Sequence, residues 1–217
     1  MLTRVRSPGT FKRLPRAIRE QQMLDAAVRV FSRRGFHAAS MDEIADEANI
    51  SKPMVYAYLG AKDELFIACL HREGTRLMEA IAAVVESGEM PPDEQLWRGL
   101  RAFFGFVGAH RDGWAVIYRQ ARATERFAAE LAEMRQRIVE VVAGMLARAL
   151  AAQGRSVREA ELEASAYALV GAGESLADWL ADHSEEDPER TATRMMNLVW
   201  LGAGQLLHGE VWRPSFT

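Results

Sequence analysis

The 217-residue chain has only one cysteine, Cys69. A lone thiol excludes an internal disulfide framework and fits a reducing compartment. Long apolar runs are missing too: nothing approaches the roughly 18 residues that a membrane span needs. The start, MLTRVRSPGTFKRLPR, carries charge with no apolar segment behind it and does not read as a signal peptide. A cytoplasmic protein is expected. Catalytic patterns are equally scarce. The five histidines, His37, His71, His110, His183 and His208, lack metal-ligand spacing, and Cys69 and His71 fall on different faces of one helix. No glycine-rich phosphate loop, G-x-S-x-G elbow or acid pair occurs, so no enzyme, no metal and no cofactor is expected. Strand-length alternation, internal repeats and low-complexity segments are absent as well, which points to an all-α fold.

What is present is enough apolar material for a full core, 49% of residues, and an uneven distribution of charge. The net charge of −3 divides into +5 over residues 1–62 and −8 over the remainder. A basic head on an acidic body concentrates attraction for phosphate at one end. Residues 1–15 form a basic arm containing Pro and Gly, expected to be disordered when free, and it reads as a minor-groove arm or as a solvated tail.

The stretch SMDEIADEANISKPMVYAYLGAKDELF, from Ser40 to Phe66, spells a helix, a tight turn, a short second helix and a capped third. That order is the pattern of a helix-turn-helix reader of DNA. Ser40 and Glu43 make a capping box, and Met41, Ile44, Ala45 and Ala48 repeat as one apolar stripe. Asn49 tolerates the left-handed turn, Ile50 plugs it, and Ser51 caps the next helix, Lys52 to Leu59. This second helix is expected to bury Val55 and Leu59. It would present Lys52, Pro53, Met54, Ala57 and Tyr58 outward, with Tyr56 and Tyr58 offering hydroxyls to phosphate and flat faces to thymine methyls, or else padding a small core. Lys62 sits in the first turn of the following helix, where the macrodipole disfavours a cation by about 0.3 to 1 kcal/mol. A phosphate there would reverse that cost. The DNA-binding set is therefore Ser40, Ser51, Lys52, Pro53, Met54, Tyr56, Tyr58 and Lys62.

The run S-K-P-M-V-Y-A-Y-L-G-A-K-D-E-L-F, with Phe36 and Ser40 ahead of it, resembles the DNA-binding domain of the tetracycline-repressor (TetR-type) family of bacterial transcriptional regulators, over about residues 16–66. The resemblance implies that Ser40 caps the supporting helix near the DNA backbone. It also implies that Lys52, Pro53, Met54 and Tyr58 face bases or phosphates and that Tyr56 and Lys62 touch phosphates. Pro53, Tyr58 and Leu59 depart from the commoner glycine, histidine and phenylalanine, which bears on base preference. The family also implies nine helices and leaves the ligand open.

A first helix from Pro15 to Arg34, closed by Gly35 with Phe36 packed back on Phe31, braces the reading pair, giving a head at residues 16–61. Residues 62–86 read as a rod of about 37 Å linking it to a ligand-binding and dimerisation domain, residues 62–217. The body reads as helices over residues 93–109, 112–123, 124–153, 158–183 and 188–210. Its aromatic groups wall a pocket for an apolar effector or fill a plain core: Trp97, Phe103, Phe106, Trp114, Tyr118 and Tyr167, with Arg122, Glu174 and Asp178 as polar candidates. Glu174 and Asp178 would attract a cationic ligand. The last two helices are rich in small apolar residues, and Leu169, Gly173, Leu176, Leu198, Gly202 and Leu206 are expected in a homodimer interface built as a four-helix bundle.

The chain thus reads as a ligand-responsive homodimeric transcriptional regulator, and as a repressor released from a near-palindromic double-stranded DNA operator by a small molecule. The alternatives are a ligand-independent DNA-binding protein of the same fold, and a helical enzyme or carrier with a vestigial head.

Overall fold

The computed structural model describes residues 15–85, 90–152 and 154–207, and every regular element in them is helical. The described residues form nine helices: α1 (Arg16–Ala38), α2 (Met41–Glu47), α3 (Lys52–Leu59), α4 (Lys62–Val85), α5 (Pro92–Ala109), α6 (residues 111–123), α7 (Ala128–Ala152), α8 (Glu159–Asp182) and α9 (Pro188–Leu207). The all-α expectation holds. The basic arm, most of the break expected after α4, Gln153 and residues 208–210 lie outside the described residues.

Local chemistry sets the head's turns. Gly35, where sequence closed the first helix, interrupts α1 with φ 75° and ψ 164°, a mirror-extended conformation that glycine alone adopts readily, and the helix resumes to Ala38. Phe36 still folds back on Phe31, ring centroids 6.2 Å apart. Asn49 takes φ 53°, the one positive value at a non-glycine among the described residues. Ser40 accepts from the Glu43 amide at 3.1 Å, but the Glu43 carboxylate bonds Arg34 at 3.0 Å instead of closing the second half of the capping box. Gly60, φ 71°, joins α3 to α4 where a Cβ would lie 2.1 Å from the Glu64 carboxylate.

Two features were not legible beforehand. Helix α6 carries a π segment, Ala115–Gln120, between short α segments Arg111–Trp114 and Ala121–Ala123. The expected helix 124–153 begins only at Ala128, because Thr124 leaves helical space and a 3₁₀ turn, Glu125–Phe127, swings Phe127 inward. Tertiary packing overrides local propensity here.

Phe127 explains the cost of that turn. It stacks on Phe66 of α4 at 4.3 Å and meets Phe36 of the head edge-on at 4.9 Å. The core around Phe31, Ile44 and Val55 continues through Leu65, Phe66 and Leu70 of α4 into Val116, Ile117 and Ala121 of α6 and Met134 of α7. Packing therefore runs unbroken past residue 62, where sequence drew a domain boundary. A second core gathers Leu77, Phe104, Val107, Trp114, Leu180 and Met195, and a third Val139, Ala166 and Val170.

Candidate nucleic-acid interface and effector cavity

Helix α3 is held at the surface by Val55 and Leu59, both buried, so its other side chains face outward. Ser51, Pro53, Met54, Ala57 and Tyr58 line a shallow depression together with Arg19 of α1. Sequence reasoning missed Arg19, whose Nη1 lies 3.4 Å from the Met54 sulfur, and Arg16, whose guanidinium stands 5.2 Å over the Tyr58 ring. The signal available was the cation cluster before Glu20. Ser51 precedes α3 with extended backbone but makes no side-chain cap bond, so its hydroxyl is not committed to the helix end. Of the two tyrosines, Tyr56 is the more open, 45% exposed, whereas Tyr58 is half-buried and packs on the head core. Tyr58, expected outward, is thus the one of the two that also pads the head core.

The head's charges are less free than composition implied. Lys52 Nζ donates to Asp42 at 2.9 Å, and this pairing raises its pKa above the ordinary lysine value. Glu47 accepts from Arg33 at 2.7 Å and Arg29 at 2.8 Å, which holds its carboxyl below the usual range. Lys62 donates to the carbonyls of Ala39 at 3.0 Å and His37 at 3.2 Å, with its Nζ 4.7 Å from the Phe36 ring centre. The cation at the start of α4 is thus stabilised by the carbonyls that close α1, with one of its three N–H donors left over.

In the body, a cavity of about 150 Å³ lies between α4, α5, α6, α7 and α8 and touches Met195 of α9. Four of the proposed ligand residues line it: Phe103, Trp114, Tyr118 and Glu174. The other five do not, and each is held elsewhere. Trp97 packs against the second core and Phe106 is buried in it, 4.5 Å from the His110 ring. Arg122 donates to the Tyr118 hydroxyl, and Tyr167 is exposed with its hydroxyl on Gln136. Asp178 accepts from Arg119 at 2.6 Å. What sequence missed is the α7 wall, Met134, Arg135, Ile138 and Met145 among others, because its spacing reads as any amphipathic helix. Glu174 accepts from Arg135 at 3.1 Å. With Asp178 also paired, the expected attraction for a cationic ligand loses its physical basis.

The dimer candidates divide in the same way. Leu169 and Gly173 line the cavity and Leu176 packs on the second core, so these three face inward in the subunit. Helix α8 is small and apolar on more than one side, so its sequence does not separate a cavity face from a partner face. Leu198 of α9 is 72% exposed, as a partner-facing residue would be, while the surroundings of Gly202 and of the Leu206 side chain fall outside what the structure describes. A Cβ at Gly173 would meet only Phe103, at 3.8 Å, so close helix approach is not what that glycine serves.

Among the described residues no helix is long and apolar enough to cross a membrane, and no cluster of metal-ligating side chains occurs. A helix-turn-helix head joined through one core to a helical body with a partly open apolar cavity defines a DNA-binding regulator built around a sensor. Residues 23–69 match the family described as bacterial regulatory proteins, tetR family, and residues 92–202 match the tetracyclin repressor-like C-terminal domain. The chain belongs to the TetR family of transcriptional regulators. A TetR-like regulator from Rhodococcus sp. RHA1 is 47% identical with a TM-score of 0.76, over 88% of this chain and 99% of that one. The transcriptional activator FasR of Mycolicibacterium smegmatis is 29% identical over 88% of this chain and 85% of its own length. FadR of Bacillus subtilis, solved with stearoyl-CoA, shares the fold at 15% identity and a TM-score of 0.69, over 82% of this chain and 96% of that one.

Proposed function

We propose that the protein is a homodimeric repressor that leaves a near-palindromic operator when an apolar small molecule enters the body cavity. One observation carries this reading: Ile117 and Met134 belong at once to the cavity wall and to the core that holds the reading helices. A ligand that pushes either residue pushes the packing under α1 and α4. The expected reader is α3, with Ser51, Pro53, Met54 and Tyr56 toward bases and backbone and Arg16, Arg19 and Lys52 toward phosphates. Lys52 must exchange Asp42 for phosphate, so its contribution to affinity is smaller than a free lysine's. Ser40 and Lys62 hold the helices in place. Leu198 and the neighbouring face of α9 are the proposed contact with a second copy. FadR, which shares this fold, was solved in complex with stearoyl-CoA, and the apolar wall here suits an acyl group. FasR is named an activator, so release from the operator is the core of the reading, and a reporter with the operator placed over or upstream of a promoter fixes its transcriptional sign.

The test is a titration of operator with and without effector. An effector should weaken operator binding by about 1 to 3 kcal/mol, and operator should weaken effector binding by the same factor. Tight effector binding with no change in operator affinity would favour the ligand-independent alternative.

A further inference from the structure

The hydrogen-bonding capacity left over in the cavity wall is of one kind. Arg135 on α7 and Glu174 on α8 are the two charged residues that line it. Both bonds between them use Arg135 Nε, at 3.1 Å to each carboxylate oxygen. The guanidinium is therefore fixed through its inner nitrogen, while the terminal Nη1 and Nη2 groups, four N–H donors in one plane, have no hydrogen-bond partner among the described residues. The Tyr167 ring centre lies 5.1 Å from the guanidinium carbon, and a Cβ on Gly171 would make only an ordinary 3.7 Å contact with Nη2, so the fork sits at the rim of the cavity beside these two residues. The second uncommitted group is also a donor: the Trp114 indole N–H is the one buried side-chain polar atom without a partner among the described residues, on a ring that lines the same cavity. The acceptors are each already engaged: both Glu174 oxygens accept from Arg135 Nε, and the Tyr118 hydroxyl oxygen accepts from Arg122 at 2.8 Å, which leaves the Tyr118 O–H itself free to donate.

We propose that Arg135 is the head-group residue of the effector site, presenting its Nη fork to the carboxylate of an aliphatic monocarboxylic acid, with Glu174 as the positioning residue that aims the fork. The proposal rests on the reading of this cavity as the effector site. A planar pair of N–H donors matches a carboxylate in two parallel bonds, which an alcohol cannot reproduce and an ammonium opposes. The apolar remainder of the cavity takes the chain. At about 150 Å³ it equals the engineered cavity that admits benzene, so a compact chain fits directly. Met78, Met134, Met145 and Met195 in the wall can repack around a longer one.

Calorimetric titration of the purified full chain with octanoate, octanol and octylamine at neutral pH tests this. Octanoate should bind about tenfold to a hundredfold more tightly than octanol, the range expected of a charge-assisted bidentate contact, and octylamine most weakly. Arg135→Gln should weaken octanoate far more than octanol and so abolish the preference between them, and Arg135→Lys should restore only part of it. Glu174→Gln should reduce the same preference by less than Arg135→Gln does, the pattern of a residue that aims the fork without touching the ligand. Thermal melts confirm that each variant folds. Equal binding of octanoate and octanol, insensitive to Arg135→Gln, would overturn the head-group assignment and leave the cavity reading standing. Tightest binding of octylamine would overturn it in favour of Glu174. Failure of all three ligands to bind would remove the cavity reading and this proposal with it.

Discussion

The head and the body of this protein handle charge in opposite ways. In the head, the acids of α2 face the surface and take up Arg29, Arg33, Arg34 and Lys52 in exposed pairs. Such pairs are worth little individually, and a phosphate can replace the carboxylate at small cost. In the body, the net charge is acidic, yet the cavity wall holds one carboxylate and one guanidinium already bonded to each other. Summed charge places the basic end of the chain where the helix-turn-helix lies, whereas in the cavity wall partners rather than totals decide which charges are available.

The regions also differ in how they depend on each other. The head has no core of its own that stops at α3, and Phe127, from the start of the α7 segment, closes it. Phe127→Ala should therefore have the largest effect, about 3 to 5 kcal/mol of stability, lost in one cooperative transition that carries both halves. Two separated melting transitions would break the comparison in favour of independent domains. Gly113→Ala comes next. The added Cβ would sit 2.6 Å from the buried Glu73 carboxylate, and overpacking of this kind costs about 1 to 3 kcal/mol. Because Gly113 joins α6 to α4, effector response should fall more than operator binding does, read by titrating each separately.

Within the head, Met54→Ala and Tyr56→Ala should reduce preference for operator over random DNA by about 1 to 3 kcal/mol if they face bases. Equal losses on both DNAs would move them to the backbone-contact class. Lys62→Met should cost about 1 kcal/mol of stability, the scale of its carbonyl bonds, and change operator and random DNA by similar small factors. The smallest effect belongs to Cys69. Burial pushes its thiol up to about 12 from an ordinary 9.0, so the folded chain keeps a proton that the unfolded chain releases. Stability should therefore fall as pH rises above about 9, and more for the wild type than for Cys69→Ala, as chemical unfolding across that window would record.

Much of the head was legible in its sequence because short-range chemistry decides it. Ser40, Asn49 and the Val55–Leu59 spacing each fix one turn or one face with residues close by. The orientation of Tyr58 and the bonds of Lys62 were not legible, since both depend on α1 residues 23 or more positions away, Arg16 and the carbonyls of His37 and Ala39. In the body, helix number and extent followed from periodicity, whereas the π segment of α6, the Thr124 break and the α7 wall are products of packing. Small apolar residues on several sides of α8 look alike in sequence, and only the fold separates Leu169, facing the cavity, from a residue facing a partner.

The central claim, that head and body are one cooperative unit through Phe127 and α6, has a direct test. All five tryptophans, Trp97, Trp114, Trp179, Trp200 and Trp212, lie outside the head, so their fluorescence during urea unfolding follows the body alone. Operator DNA recovered from the genome binds only the head. At operator concentrations about 100 times the dissociation constant, linkage should stabilise the whole unit by about 2.7 kcal/mol and shift the tryptophan-monitored midpoint upward accordingly. A tryptophan transition that stays where it was while the head is saturated with operator would contradict the account.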